Sequence, residues 1–248
     1  MDAIPDISGP EKYEICNYID SELIEIMPDE TFDVKMQYPL LHMKHAEAGC
    51  YLRRETYDKL KEASKLLPAG CKLRILDAWR PFALQEELYE VYSESIISNF
   101  RLDQCTEEEK RSVIEKYVSE PVRNRKMPPV HTTGGAVDVT LIDAYGMELE
   151  MGTGFDAFTD MTYTACYEDK QNEQNERNEQ DERIRQNRRI LYWSMIKAGF
   201  TNLPSEWWHY DYGDRFWGYY TNKPAFYSGI FTKEEMNGRN RQRQGGKG

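Results

Sequence analysis

The stretch that most constrains this chain is Ala136–Ile142, which reads AVDVTLI. It is rich in β-branched side chains, which suit a pleated, half-buried surface, and it reads as a strand. The Gly134-Gly135 pair just before it permits a tight turn on entry. A shorter strand is expected at Lys72–Leu76, where Leu73 and Ile75 alternate with charged neighbours. Helices are expected around them. One spans Arg54–Leu67, with Tyr57, Leu60, Ser64 and Leu67 on one face and Pro68-Ala69-Gly70 as its stop. Trp79-Arg80-Pro81 turns into a second, with Pro81 in its first turn and Leu84, Leu88 and Val91 or Tyr92 along one side. Thr106 and Glu109 have capping-box spacing and open a third, which stops before Pro121.

The segment Glu168–Arg189 is very polar, and its acids precede bases by four residues (Glu179–Arg183, Asp181–Arg185), the better order for a helix. It turns amphipathic toward Ile184, Leu191, Met195 and Phe200 and is expected to run from solvent onto the core. The aromatic segment Glu206–Tyr212 is expected to be extended. Residues 1–50 are broken by Pro5, Pro10, Pro28 and Pro39 and show no clear element. Helices and strands mix without regular βαβ alternation, which points to an α+β fold. One domain over residues 1–236 is expected, with a disordered basic tail at 237–248 that holds Arg239, Arg241, Arg243 and Lys247.

A net charge of −11 argues against a nucleic-acid-binding surface, which needs a basic stripe. No window approaches the ~20 apolar residues of a membrane span, and the N-terminus lacks the pattern of a signal peptide. Five scattered cysteines, with no C-x-x-C pair, suit reduced thiols. A cytoplasmic location is therefore expected.

There are only four histidines, so their placement is informative. His131 opens His-Thr-Thr-Gly-Gly-Ala-Val-Asp138, and His209 closes Glu206-Trp-Trp-His209. A catalytic zinc takes three protein ligands from His and Asp/Glu and keeps a position open. Two histidines and Asp138 meet that count and leave Glu206 as a base for the attacking water. Spacing alone leaves ordinary packing open, because on an ideal strand His131 and Asp138 point to opposite faces, as do Glu206 and His209. His42-x-x-His45 lacks nearby cysteines and is expected to be packed or solvated rather than a second metal site.

Three separated motifs, Asp77-Ala-Trp79-Arg80-Pro81, His131-x-x-Gly134-x-Ala136-x-Asp138 and Glu206-Trp207-Trp208-His209-Tyr210, resemble those of the zinc D-alanyl-D-alanine dipeptidases, in order and at compatible separations. The resemblance runs from about Tyr51 to Tyr210. It implies a small central antiparallel sheet flanked by helices, a fold shared with hedgehog-type domains, and one zinc ion held by His131, Asp138 and His209. It also implies that Glu206 is the base, that Arg80 reaches the oxyanion, and that Asp156, in Met151-Gly-Thr-Gly-Phe-Asp156, binds a dipeptide's ammonium group. The expected substrate is a small D,D-peptide, most simply D-Ala-D-Ala from cell-wall metabolism. The alternatives are a carboxypeptidase or endopeptidase acting on longer wall peptides, and a zinc-bearing binding domain that has lost hydrolysis. Two departures bear on the substrate. Pro129 and Val130 stand where the family has serines, and the family's tyrosine-containing N-terminal pocket segment is not recognisable in Asp33–Leu41.

Overall fold

The computed structural model describes residues 1–5, 21–124, 127–168 and 179–238. The expected tail from 239 onward, Cys16 and residues 169–178 of the polar segment lie outside the described residues. Strands β1 (Leu23–Ile26) and β3 (Cys50–Arg53) form an antiparallel pair. The main sheet has five strands in the order β2 (Phe32–Val34), β4 (Lys72–Asp77), β5 (Ala136–Ile142), β7 (His209–Asp211) and β6 (Thr201–Asn202). Its neighbours run antiparallel except at one edge, where β2 is parallel to β4. The fold is α+β, as its mixed pattern of elements suggested.

Every residue of β5 is buried. Val137, Val139 and Leu141 join Leu73 and Ile75 of β4 in the main core. Helices α2 (Arg54–Ser64) and α5 (Glu179–Ala198) cover that face with Leu60, Ala63, Leu191 and Met195. Side chains alternate along a strand, so Asp138 and Thr140 point to the other face. There α3 (Phe82–Asn99) and α4 (Glu107–Ile114) pack on each other through Ile96, Ile114 and Val118.

Local chemistry accounts for the element ends. Pro81 is the N-cap of α3, where its missing N–H costs nothing. Thr106 and Glu109 close the expected capping box on α4. Helix α2 ends three residues before Leu67, and its buried face is Thr56, Leu60 and Ala63 rather than the one through Ser64 and Leu67. Helix α5 agrees with the polar-to-amphipathic reading, but its charges pair differently. Arg185 pairs with Glu182, and Arg183 reaches Glu150 at 3.7 Å. The N-terminal part, unread from sequence, supplies β1, β2 and the one-turn helix α1 (Gln37–Leu40). Among the described residues no helix is long and apolar enough to cross a membrane.

Candidate metal centre

Strand register assembles the centre. Across β4, β5 and β7, Asp77 pairs with Asp138 and Asp138 with His209, so three chemistry-bearing residues sit at one level on neighbouring strands. The shift between Ile75 and Asp77 is what brings Asp77 to that level. His131 arrives differently, on a 3₁₀ turn, Val130–Thr133, that ends at Gly134 with φ of 75°. Only glycine adopts this conformation without strain, and a Cβ there would lie 2.3 Å from Leu23. The odd spacing between His131 and Asp138 is thereby resolved: His131 precedes the strand.

Glu206 corrects another expectation. The chain around it is not extended; it turns, with the His209 N–H donating to the Glu206 carbonyl at 3.3 Å, and the strand begins only at His209. That turn puts Glu206 Oε2 3.9 Å from His209 Nδ1. Trp207 and Trp208 pack into the core behind it.

His131, Asp138 and His209 each offer one ligand atom, and these atoms lie within 4.8 Å of one another. His209 Nδ1 is 3.0 Å from Asp138 Oδ1 and 3.2 Å from His131 Nε2, which is 3.5 Å from Asp138 Oδ2. Ligands at zinc's bond lengths occupy tetrahedron corners about 3.3 Å apart, so the spacing already suits such an ion. Hydrogen-bond partners fix both tautomers. His131 Nδ1 faces the Ala78 carbonyl at 2.7 Å and therefore carries its hydrogen. His209 Nε2 does the same toward Asp211 Oδ1 at 2.9 Å. Two imidazole lone pairs and a carboxylate then face one point, which calls for a cation. A proton meets part of that demand. Burial opposes charging His209, but Asp211 and Asp138 together hold its pKa well above the usual value. Burial likewise opposes ionisation of Asp138, yet the two imidazoles keep its carboxyl well below the normal range. A divalent ion satisfies all three donors at once.

The same cavity is lined by Arg80, Asp156 and Glu206. Arg80 donates through Nε to Asp77 Oδ2 at 2.8 Å and through Nη1 to Gln85 Oε1 at 3.0 Å, and its Nη2 lies 3.7 Å from Asp138. Burial raises the pKa of Glu206 to about 8, helped by Asp138 and Asp156 and opposed by His209 and Arg80. Asp156, at φ of 55°, accepts hydrogen bonds on Oδ2 from Tyr38 at 2.8 Å and Tyr92 at 2.6 Å. Burial lifts its pKa to about 6 despite these donors. All six expected site residues thus share one cavity. His45 lies elsewhere, 3.0 Å from Glu87, and among the described residues no second metal-type cluster forms.

Several partners in the site were missed from sequence. Tyr38 corrects the reading of Asp33–Leu41 as lacking a pocket tyrosine. Tyr92, left open against Val91, turns inward, and Val91 is exposed. Asp211 was detectable in principle, being two residues beyond His209 on the same strand and so on the same face.

The D-Ala-D-Ala dipeptidase family model matches residues 47–228. This chain belongs to that family. Two relatives are similar over much of their length. One, a D-alanyl-D-alanine dipeptidase of Synechocystis sp., is 28% identical over 157 residues, 61% of this chain and 64% of the relative. The other, a D-alanyl-D-alanine dipeptidase of Escherichia coli, is 26% identical over 168 residues, 67% of this chain and 69% of the relative. The chain therefore spans a little under two thirds of the Synechocystis protein.

Proposed function

We propose that this chain is a zinc-dependent dipeptidase of the cytoplasm that hydrolyses a free D,D-dipeptide such as D-Ala-D-Ala. The reading rests on one observation: one ligand atom each from His131, Asp138 and His209 converge beside an uncommitted acid, Glu206, in a cavity that also holds Arg80 and Asp156.

His131 Nε2, Asp138 and His209 Nδ1 would hold the ion, and Ala78 and Asp211 hold the two rings. A zinc ion there would supply Lewis acidity, enough to bring the deprotonation of water close to neutral pH. Glu206 accepts the proton of the attacking water and delivers it to the departing amine; a carboxylate with a raised pKa can do both. Arg80 faces the oxyanion. Two of its nitrogens are tied to Asp77 and one hydrogen of Nη1 to Gln85, which leaves a second Nη1 hydrogen to donate. Asp156 receives the ammonium group. Both phenols use Oδ2, so Oδ1 is left for the ligand. The cavity is small, about 100 Å³, which suits a free dipeptide better than a cross-linked polymer.

The test is an activity panel on D-Ala-D-Ala, its N-acetyl form and a wall pentapeptide, each with and without chelator. The free dipeptide should be cleaved best, and only with metal present. Full activity in chelator would remove zinc from the mechanism, and a preference for the pentapeptide would favour a carboxypeptidase.

A further inference from the structure

A free dipeptide carries a carboxylate as well as an ammonium group, and the roles assigned so far leave that carboxylate without a partner. Two guanidinium groups line the cavity, those of Arg80 and Arg215. Arg80 is neutralised by Asp77. Arg215, the first residue of α6 (Arg215–Thr221), is not neutralised in this way. Its Nε donates to the Pro128 carbonyl at 3.2 Å, and its guanidinium lies 4.3 Å from the centroid of the Phe216 ring. Among the described residues no carboxylate is paired with it. The acids whose charge acts on it, Asp214 and Asp211, form no ion pair with it among the described residues: Asp214 Oδ1 caps α6 by accepting from the Phe216 and Trp217 N–H groups, Asp211 Oδ1 holds His209, and the Oδ2 atom of each is buried without a hydrogen-bond partner.

We propose that Arg215 forms the subsite for the C-terminal carboxylate of the residue that leaves, and so acts as a specificity residue of the dipeptidase reading, on which this inference rests. A planar guanidinium matches a carboxylate in a two-point pairing that a single ammonium cannot copy. Contact with Pro128 and Phe216 restrains the group before the ligand arrives, which lowers the cost of ordering it. The neighbouring wall offers no competing side-chain donor at Pro129 or Val130, which also line the cavity. The placement fits an extended zwitterion. Asp156 is held by Tyr38 and Tyr92 and Arg215 by the Pro128 carbonyl, so the two charges line the cavity from different elements.

The test compares kcat/KM for D-Ala-D-Ala and for its C-terminal amide, in the wild type, Arg215→Gln and Arg215→Lys, with zinc content measured in each. A hydrogen bond to a charged group is worth roughly 10- to 100-fold, so the wild type should prefer the free acid by about that factor. The preference should fall toward one in Arg215→Gln and be intermediate in Arg215→Lys. A wild type indifferent to amidation overturns the assignment whether or not either variant folds. So does a zinc-loaded Arg215→Gln with the full wild-type preference; if that variant loses its zinc, a wild-type preference in Arg215→Lys overturns it instead. A wild type inert toward D-Ala-D-Ala is a different failure, that of the dipeptidase reading itself.

Discussion

The candidate metal end of the cavity and the Asp156 end are built by different means. At the metal end, Asp77, Asp138 and His209 sit on three adjacent strands of the sheet, and hydrogen bonds between strands set their spacing. At the other end, Asp156 lies on a connection between β5 and α5 in a left-handed backbone conformation. That connection is fastened by side chains. Arg188, buried in α5, donates to the carbonyls of Met151, Met161 and Tyr163 at 2.7 to 2.8 Å. Trp207 Nε1 holds Thr153 at 2.8 Å, and Tyr38 and Tyr92 reach Asp156 from α1 and α3. On the proposed reading, most of the ion's ligands would sit on rigid backbone and the ammonium-binding acid on a loop, whose sequence can change without disturbing the sheet.

If that division holds, residues around His131, Asp138 and His209 should fail in metal content and turnover, and those around Asp156 in selectivity. The largest effect is expected at the sheet end. His209→Ala should release the ion and abolish activity, and stoichiometric zinc in that variant would remove His209 from the ligand set. Glu206→Ala should keep its zinc and lose at least ~10²-fold in kcat, the usual contribution of a general base. Near-normal turnover would break the comparison at its strongest point. Asp211→Asn removes the charge that orients His209 and should weaken zinc affinity by about 10- to 100-fold, read by competition with a chelator. Unchanged affinity would mean that the sheet alone orients the ring.

Smaller, selective effects are expected at the loop end. Asp156→Asn should raise KM for the free dipeptide while sparing N-acylated peptides, and equal losses on both would make Asp156 structural. The pH dependence follows from the raised pKa of Asp156, about 6. Below it the carboxyl is neutral and cannot pair with an ammonium group, so KM for the free dipeptide should climb as pH falls through 6. In Asp156→Asn that part of the climb should be absent, because the amide does not titrate.

The same division explains what could be read from sequence. Ala136–Ile142 was legible because branched side chains and a flanking glycine pair report on backbone shape. The six residues that share the cavity could be picked out because family motifs contain or adjoin them. Tyr38 was not, since α1 is a single turn in a proline-broken segment and only tertiary packing directs its ring toward Asp156. The turn at Glu206 was hidden by its aromatic neighbours, which suit a strand but here fill the core. The parallel pairing of β2 with β4 was hidden too, because a three-residue strand carries too little pattern to reveal its partner.

The single level shared by Asp77, Asp138 and His209 implies an asymmetry in how this enzyme family can diverge. Successive strand residues face opposite ways, so inserting or deleting one residue within Ala136–Ile142 would present a valine to the ion and drive the carboxylate into the hydrocarbon interior. Surface loops in general tolerate changes of length that a paired strand does not. The ladder can change only by substitution, which makes it the part of the molecule whose length should be invariant among active relatives.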